Sequence, residues 1–358
     1  MTDARPRPDT AHAVLDIDVT AIVANWQTLR ARHPSGEVAA VIKADAYGLG
    51  ARPVAAALFA AGCRHFVVAW LEEALAVRDL LPGAMIAVLG GLIPGTEAAY
   101  VAHDLTPVLC SLDDIERWQR RGEAILHVDT GMSRLGLDAG VLAANPQCLD
   151  GLRIRYAMSH LVASEVPDDP VNQLQLRRVA AIRAMLPPCP FSLANSSGIF
   201  LGPDFASDLA RPGAALYGLN PTPGHPNPMR NAVRLSVRVL TVCEVPAGAT
   251  VGYNATWKAA RPTRIATAAL GYADGYHRSL SGRGTACFDG TPVPLVGRVS
   301  MDLTTFDVTD CPAVQPGCWL EVLGPHLSPD DVAAAAGTNG YEVLTSLGRR
   351  FQRVYRTA

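Results

Sequence analysis

The sequence lacks the features that would direct it to a membrane or to a nucleic acid. It has no uncharged apolar run of spanning length, because even the Ala-rich stretch that begins at Val54 is interrupted by Arg64, Glu72 and Glu73. The formal net charge of the 358 residues is only −2, so no electrostatic argument favours a nucleic acid or an anionic surface as partner. We therefore expect a protein that acts on small molecules.

Paired cysteines and a secretory leader are also lacking. The 8 cysteines form no CxxC pair, which argues against a zinc ribbon or a thioredoxin-type centre, and we expect no metal site. The first residues, MTDARPRPDTA, are polar and lack the apolar core of a secretory signal. These observations predict a cytoplasmic protein whose thiols are free and mostly buried.

Up to about Gly218, short apolar β-rich runs alternate with segments of helical period. Segments such as LEEALAVRDLL and VNQLQLRRVAAIRAML repeat apolar residues every three or four positions. The eight candidate strands are VAAVIK, HFVVAW, AMIAVLG, LTPVLC, AILHVD, IRYAMSH, FSLANS and LARPGAA. Eight repeats of strand and helix predict a (β/α)8 TIM barrel. The alternative, an open doubly wound sheet, lacks its usual GxGxxG marker here.

Beyond Pro228 the pattern changes to alternating apolar and polar residues, as in VRLSVRVLTVCEV and PVPLVGRVSMDLTTFDV. This change predicts an α/β barrel domain at 13–228 and a mainly antiparallel β domain at 229–358, joined by PTPGHPNP. The first strand, near 13–18, is able to pack with the second domain. One late helix is indicated by SPDDVAAAAG, with Ser328 as N-cap and Gly337 near its end.

Polar residues able to do chemistry follow the predicted barrel strands where each one ends. Lys43, Arg134 and His160 follow the first, fifth and sixth strands. The loops NSSG and RPGA follow the seventh and eighth strands and supply Asn195, Ser196, Arg211 and Gly213. In a barrel these ends converge on one rim, and the last two loops form a recurrent phosphate cradle. A lysine opposite a phosphate cradle suggests pyridoxal phosphate, bound to Lys43 as a Schiff base.

Five motifs, in this order, resemble those of the bacterial, pyridoxal-phosphate-dependent alanine racemase family. They are AVIKADAYGLG, DTGMSRLG, ANSSG with RPGAALYG, GYADGY and GRVSMD. The similarity runs from about Ala13 to Tyr355. The resemblance implies an isomerase that interconverts L-alanine and D-alanine, supplying D-alanine for peptidoglycan, and a homodimer whose sites are shared between subunits.

The resemblance also implies which residues move the α-proton. Lys43 matches the family's Schiff-base lysine, and Tyr272 matches a second acid/base residue on the opposite face of Cα. Two groups on opposite faces are the simplest way to remove a proton from one side and return it to the other. His160 resembles the histidine that assists this pair. In the family, Tyr272 and Met301 reach the site from the partner subunit.

Further positions match the family's cofactor and substrate contacts. Arg211 resembles the arginine at the pyridine nitrogen, and its permanent charge would favour return of the proton over transamination. Arg134 and the backbone N–H of Met301 resemble the groups that hold the substrate carboxylate, with Asp302 in support. The matches to cofactor-binding positions are Lys43, Tyr47, His160, Asn195, Ser196, Arg211, Gly213 and Ala214.

Two positions depart from the family's pattern. His127 stands where many relatives have a lysine modified to a carbamate, so either an anion such as chloride replaces the carbamate or Arg134 is held less firmly. Arg349 stands where some relatives have a phosphate-binding tyrosine, and it either contacts the phosphate or points outward.

Three other functions fit parts of the sequence. A serine or broad-spectrum amino-acid racemase would share the fold and the motifs, although small residues near the carboxylate motif favour alanine. An amino-acid decarboxylase or aldolase built on a lysine barrel is disfavoured by GYADGY and GRVSMD. A non-enzymatic pyridoxal-phosphate carrier would lack the β domain and Tyr272. Anabolic and catabolic use of the product are not separated by the sequence.

Overall fold

The structure, a computed structural model, describes residues 10–357, which divide into two compact units. One unit is Ala21–Arg230, and the other combines residues 10–20 with residues 231–357. The first strand, β1 (Ala13–Asp18), lies in the second unit because it pairs antiparallel with the strand Val233–Val245. The barrel unit therefore begins at residue 21 rather than at residue 13.

The first unit is a barrel of parallel strands. The strands are β2 (Glu37–Val38), β3 (Ala40–Val41), β4 (His65–Val68), β5 (Met85–Val88), β6 (Thr106–Leu109), β7 (Glu123–His127), β8 (Arg153–Met158), β9 (Phe191–Ser192) and β10 (Leu209–Ala210). β3 to β9 pair in chain order, and β10 pairs with β2. The Arg211 N–H donates to the Ala194 carbonyl at 2.8 Å, which joins the segments after β9 and β10 and closes the ring. The predicted eight-stranded barrel is confirmed, with β2 and β3 as one strand interrupted at Ala39.

Helices follow most of the barrel strands. They are α2 (Lys43–Tyr47), α3 (Ala51–Ala60), α4 (Leu71–Arg78), α5 (Glu97–Ala102), α6 (Leu112–Trp118), α7 (Ala139–Ala144) and α8 (Pro170–Arg183), and α1 (Val19–Arg32) precedes the first barrel strand. The position after β9 differs from the predicted repeat, because two 3-10 turns, Ser197–Phe200 and Pro203–Phe205, stand in place of an α-helix. Gly202 has φ 108° and Pro203 lacks a backbone N–H, so a continuous helix cannot pass through this segment.

The barrel interior is filled by small and branched apolar side chains. Its buried members are Ala39, Val41, Val67, Met85, Ala87, Val108, Ile125, Met158 and Leu209. Alternate residues of a strand point inward, so no strand contributes more than two of these side chains. The interior is thus a packed core, and polar chemistry is confined to the ends of the strands.

The second unit is built mainly of antiparallel strands. They are β1, β11 (Val233–Val245), β12 (Thr250–Val251), β13 (Trp257–Lys258), β14 (Thr263–Ala268), β15 (Thr285–Phe288), β16 (Thr291–Val296), β17 (Thr304–Asp307), β18 (Trp319–Leu323) and β19 (Gln352–Arg356). The long strand β11 pairs with β18 through its first half and with β14 through its second half. This double pairing closes β11, β14, β17, β16, β15 and β18 into a ring, with β1 and β19 beside it. The predicted antiparallel β domain is confirmed.

Two helices, α9 (Pro329–Ala336) and α10 (Gly340–Ser346), complete this unit. The Ser328 hydroxyl accepts the Asp331 N–H at 3.1 Å, and Gly337 ends the helix with φ 75°. The helix predicted from SPDDVAAAAG is therefore present with its predicted caps. Among residues 10–357, no helix is long and apolar enough to cross a membrane.

Candidate active site

The chain turns sharply in the left-handed sense directly after Lys43. The residues from Ala44 to Tyr47 have φ between 52° and 55°. The Gly48 N–H donates to the Ala44 carbonyl at 2.7 Å, so the segment is one turn of left-handed helix. Tyr47 lies one helical turn from Lys43, as its spacing predicts, but the hand of the turn was not predicted. Each non-glycine residue in this conformation costs about 1–2 kcal/mol.

Carboxylates hold this left-handed turn in place. Glu73, in the first turn of α4, accepts the Ala44 N–H through Oε1 at 2.6 Å and the Ala69 N–H through Oε2 at 2.8 Å. Asp45 accepts the Ala51 N–H at 2.7 Å. Hydrogen bonds to a charged acceptor are roughly twice as strong as neutral ones, so they offset part of the conformational cost. Sequence reasoning did not single out Glu73, although an acid in the first turn of LEEALAVRDLL was a possible signal.

The Lys43 amine is half-buried at the end of the first barrel strand. No hydrogen bond or ion pair joins its Nζ to any residue in the range 10–357. Burial lowers the pKa of Lys43, the positive charge of Arg134 lowers it further, and Glu73 opposes the shift. Nζ is therefore easier to deprotonate than an exposed lysine amine, and a neutral amine is the nucleophilic form.

Two histidines of the same rim are held in the neutral form. Burial, followed by the charges of Arg211, Arg134 and Lys43, lowers the pKa of His160 to about 3. Burial and the charge of Arg211 lower the pKa of His127 to about 4, and its Nδ1 lies 3.8 Å from the Cys110 sulfur. Arg211 and Arg134 therefore lie close enough to both imidazoles to act on their charge, at the same rim of the barrel. At neutral pH neither imidazole carries charge.

The guanidinium of Arg211 is buried beneath the site. It donates to the Ser192 hydroxyl and, at 2.7 Å, to the Ser159 carbonyl. Burial lowers its pKa to about 10, so Arg211 remains protonated at neutral pH. None of the carboxylates between residues 10 and 357 pairs with it. The site therefore contains a permanent cation that is balanced only by neutral acceptors.

The loops after β9 and β10 form a cradle of hydroxyl and backbone N–H groups. The Ser196 hydroxyl accepts the N–H groups of Gly213 and Ala215 at 3.0 and 3.2 Å. Asn195 braces this loop by accepting the Gly198 N–H at 2.8 Å, and Ala214 begins a 3-10 turn. A Cβ at Gly213 would lie 2.2 Å from the Tyr47 hydroxyl oxygen. Only glycine leaves room for Tyr47 to meet this cradle.

A buried amide from α8 connects the DTGMSRLG motif to the segment that follows β8. Gln175 Nε2 donates to the Thr130 hydroxyl at 3.0 Å and to the His160 carbonyl at 2.9 Å. Its Oε1 accepts the Val162 N–H at 2.8 Å. Gln175 therefore holds the DTGMSRLG loop of Arg134 beside His160. Sequence reasoning missed Gln175, because a glutamine inside a helical pattern reads as an exposed residue.

Tyr272 and Met301 lie together in the other unit. The Tyr272 N–H donates to the Ser300 carbonyl at 2.9 Å, and the Ala273 N–H donates to the Met301 carbonyl at 3.0 Å. Tyr272 and Met301 are 43% and 54% exposed. Asp302 follows Met301 and accepts a hydrogen bond from Arg350 at 2.7 Å. GYADGY and GRVSMD thus present their side chains from one joined surface.

Two predicted positions lack the contacts that the family's pattern would give them. Arg349 is exposed, and its guanidinium makes no hydrogen bond within the described part of the chain. Arg134 is likewise exposed and has no ion pair or hydrogen bond there. Within residues 10–357, no cluster of three histidine, cysteine or acidic side chains could hold a metal.

A closed (β/α)8 barrel whose rim carries an amine, neutral imidazoles and a buried guanidinium belongs to the class of small-molecule barrel enzymes. Two family models, described as alanine racemase N-terminal domain and C-terminal domain, match residues 17–221 and 232–355. The chain belongs to the alanine racemase family, as its five motifs predicted.

Individual relatives agree along almost the whole chain. The alanine racemase of Acidiphilium cryptum is 56% identical over 97% of this chain and 99% of its own length. An alanine racemase of a Methylobacterium is 49% identical over 96% and 97% of the two chains. The crystal structure of alanine racemase from Bartonella henselae, with covalently bound pyridoxal phosphate, superposes with a TM-score of 0.93 at 43% identity. The superposition covers 97% of this chain and 100% of the Bartonella henselae chain.

Proposed function

We propose that this chain interconverts L-alanine and D-alanine with pyridoxal phosphate bound covalently to Lys43. The observation that carries the proposal is the Lys43 amine itself. It is half-buried, lacks an acceptor among the described residues and lies near the cation Arg134. These conditions favour the neutral amine that must attack a carbonyl carbon.

The barrel residues fit this cofactor. When bound, pyridoxal phosphate supplies a carbonyl and an electron-withdrawing ring that acidify the α-proton of an amino acid. The Ser196 hydroxyl, the Ala214 N–H and Tyr47 would hold its phosphate, and Gly213, which lacks a side chain, would leave room for it beside Tyr47. Asn195 would brace that loop.

Arg211 would face the pyridine nitrogen. Its guanidinium is a donor that stays charged at neutral pH, so it would leave the ring nitrogen largely unprotonated. A weaker electron sink favours return of the proton to Cα. His160, neutral because its pKa is about 3, can accept or donate a hydrogen bond without adding charge beside the acid/base pair.

Lys43 and Tyr272 would exchange the α-proton on opposite faces of Cα, and Arg134 with the Met301 N–H would bind the carboxylate. We propose a homodimer in which Tyr272 and Met301 serve the partner's barrel. Support comes from the exposed apolar surface of the β domain, where Leu303 is 39% exposed beside Tyr272 and Met301. A partner subunit would remove this surface from water.

Mixing two inactive variants tests the shared site. Lys43→Ala and Tyr272→Phe subunits, unfolded and refolded together, should recover about a quarter of the wild-type activity, because each mixed dimer contains one intact site. If the mixture recovered no activity, Lys43 and Tyr272 of one site would belong to the same chain.

Arg134, which would bind the substrate carboxylate, has no carbamate beside it, unlike the corresponding arginine in the family's pattern. His127 is neutral at neutral pH because burial and Arg211 lower its pKa to about 4, so it cannot supply the negative charge of a carbamate. We propose that Arg134 is held less firmly and that the substrate carboxylate orders it. The KM for alanine should then not depend on chloride. A KM that falls as chloride is added at constant ionic strength would instead show that an anion supports Arg134.

α-Proton exchange in deuterated water, followed by NMR over a panel of L-amino acids with chiral chromatography of each product, tests the function and the substrate together. Rapid exchange and racemisation of alanine alone would support the proposal. Equal rates with serine or larger amino acids would make the enzyme a serine or broad-spectrum racemase. Cofactor absorbance without any exchange would indicate a carrier and refute the proposal.

We propose the cytoplasm as the site of this reaction, with D-alanine made available for peptidoglycan. The 8 cysteines are all free thiols in the structure, which suits a reducing compartment. Cell fractionation with activity assays tests the location.

A further inference from the structure

One guanidinium in the β domain joins the two motifs that carry Tyr272 and Met301. Arg350 Nε donates to Asp274 Oδ1 at 2.6 Å, and Arg350 Nη1 donates to Asp302 Oδ1 at 2.7 Å. Asp274 belongs to GYADGY, and Asp302 belongs to GRVSMD. We propose that Arg350 is a positioning residue for racemisation, which fixes the turn of Tyr272 relative to the turn of Met301. This inference rests on the proposed function of Tyr272.

Asp274 makes this bridge sensitive to the loss of Arg350. Its side chain is only 2% exposed. Oδ2 accepts the Gly271 N–H at 2.9 Å, and Oδ1 accepts Arg350. Without the guanidinium, Oδ1 would be a buried carboxylate oxygen without its cation, which is costly whatever the worth of the intact pair. The turn that carries Tyr272 would have to shift to give Oδ1 a new partner or to expose it to water.

The backbone around this bridge is tightly packed, so a shift would reach both motifs. A Cβ at Gly271 would lie 2.2 Å from the Met301 carbonyl oxygen, so the two turns touch main chain to main chain. The Gly348 N–H donates to the Asp274 carbonyl at 2.8 Å, which ties the segment before Arg350 to the same turn. Three segments distant in sequence therefore meet at Arg350.

The geometry of the contact requires arginine rather than a positive charge alone. The two carboxylates are reached by different nitrogens of one planar group, Nε and Nη1. A lysine ammonium is a compact point charge on a flexible stem and does not reproduce this fork. The neighbouring Arg349 is exposed and does not join the cluster. Arg350→Lys should therefore restore only part of the function.

The test uses the holoenzyme and separates exchange of the α-proton from inversion. Racemisation has an equilibrium constant of one, so kcat/KM falls equally in both directions in any variant and gives no information about faces. If Tyr272 serves the L face, D-alanine still loses its α-proton to Lys43 when Tyr272 is misplaced. Deuterium then returns to the same face, and D-alanine exchanges in deuterated water without inverting.

We expect Arg350→Met to slow inversion of D-alanine by about 10-fold or more, as for a catalytic group displaced by up to an ångström, while exchange slows much less. Tyr272→Phe should widen the difference further. The absorbance of the Lys43-bound cofactor should be unchanged, because the cofactor residues belong to the barrel. If Arg350 only stabilised the fold, its loss would lower the rates of exchange and inversion by the same factor.

Arg261→Met is the matched control. Arg261 forms an exposed ion pair of the same length, 2.6 Å, with Asp310 in the same unit. Its loss should leave the ratio of exchange to inversion unchanged. If Arg350→Met folds poorly, Arg350→Lys gives the same measurement, with a smaller expected increase of the ratio.

The outcomes distinguish this inference from the proposed function. A changed ratio in Tyr272→Phe with an unchanged ratio in both Arg350 variants would overturn the role of Arg350 alone. An unchanged ratio in Tyr272→Phe would overturn the assignment of Tyr272 and this inference with it. Absence of alanine exchange in the wild-type enzyme would refute the proposed function itself.

Discussion

Adding one methyl group at Gly213 should weaken cofactor binding by displacing Tyr47 from the phosphate cradle. A Cβ there would lie 2.2 Å from the Tyr47 hydroxyl oxygen and 2.9 Å from its Cζ. The Tyr47 ring would have to move by more than an ångström to reach ordinary contact. It cannot retreat freely, because it packs 4.7 Å from the buried ring of Tyr217, whose hydroxyl donates to the Val41 carbonyl at 2.9 Å.

The expected loss follows from the phosphate contacts. A hydrogen bond to a charged group contributes about 1.5–3 kcal/mol. If Gly213→Ala removes the Tyr47 contact, the Kd for pyridoxal phosphate should rise by about 10- to 100-fold. Titration of the apoenzyme with the cofactor, followed by absorbance of the Lys43-bound form, measures this change. Since Gly213 has φ −121°, alanine avoids the left-handed region, and the close contact with Tyr47 is the main expected cause of the loss.

Two further variants check the reasoning. Gly122→Ala adds the same methyl group 3.5 Å from the Trp118 ring, an ordinary contact, and should leave the Kd unchanged. In a Tyr47→Phe background the Gly213→Ala change should cost much less, because the two substitutions act on one contact. Wild-type affinity in Gly213→Ala, or full additivity in the double variant, would refute the steric argument.

Three other changes have expected outcomes. His127 and His160 have folded-state pKa values of about 4 and 3, below the ordinary value, so the unfolded chain binds more protons than the folded one. The free energy of unfolding, measured with urea, should therefore fall as the pH is lowered from about 6.5, by up to about 1.4 kcal/mol per pH unit for each histidine. A free energy that does not change with pH in this range would contradict the prediction. Gln175→Leu should destabilise the fold by about 1–3 kcal/mol per unpaired partner and raise the KM for alanine; an unchanged KM in a folded variant would show that Gln175 does not position the Arg134 loop. Glu73→Gln should loosen the turn after Lys43 and lower the cofactor affinity, measured by the same titration, and wild-type affinity would exclude the anchoring role.

The barrel strands could be predicted because their residues favour the strand conformation and are also apolar enough to be buried in the barrel. Runs such as HFVVAW are β-branched, apolar and short, which suits strands buried on both faces. The turn after Lys43 could not be predicted for the opposite reason. Ala44 and Ala46 favour right-handed helix, and only tertiary contacts such as the Glu73 carboxylate impose the other hand.

The contacts of Arg350 with Asp274 and Asp302 show a second limit of prediction from the sequence. Arg349 and Arg350 are chemically identical neighbours, and a comparison of motifs directs attention to Arg349. Which of the two meets Asp274 depends on how the chain leaves α10, and the pattern of apolar residues does not report that direction. The motif GYADGY predicted Tyr272 for its chemistry, but the buried carboxylate two residues later acquires its partner only in the folded unit.

The mirror-image turn after Lys43 has a consequence for the order in which the barrel opens. Four left-handed residues cost several kcal/mol in total, which is comparable with the stability of a whole domain, so this segment can persist only while its anchors are in place. Amides of residues 44–47 should then exchange with solvent through local openings that leave the barrel strands intact. A cofactor joined to Lys43 would bind only the closed form, so its removal should accelerate exchange here first and make this turn the weakest element of the apoenzyme.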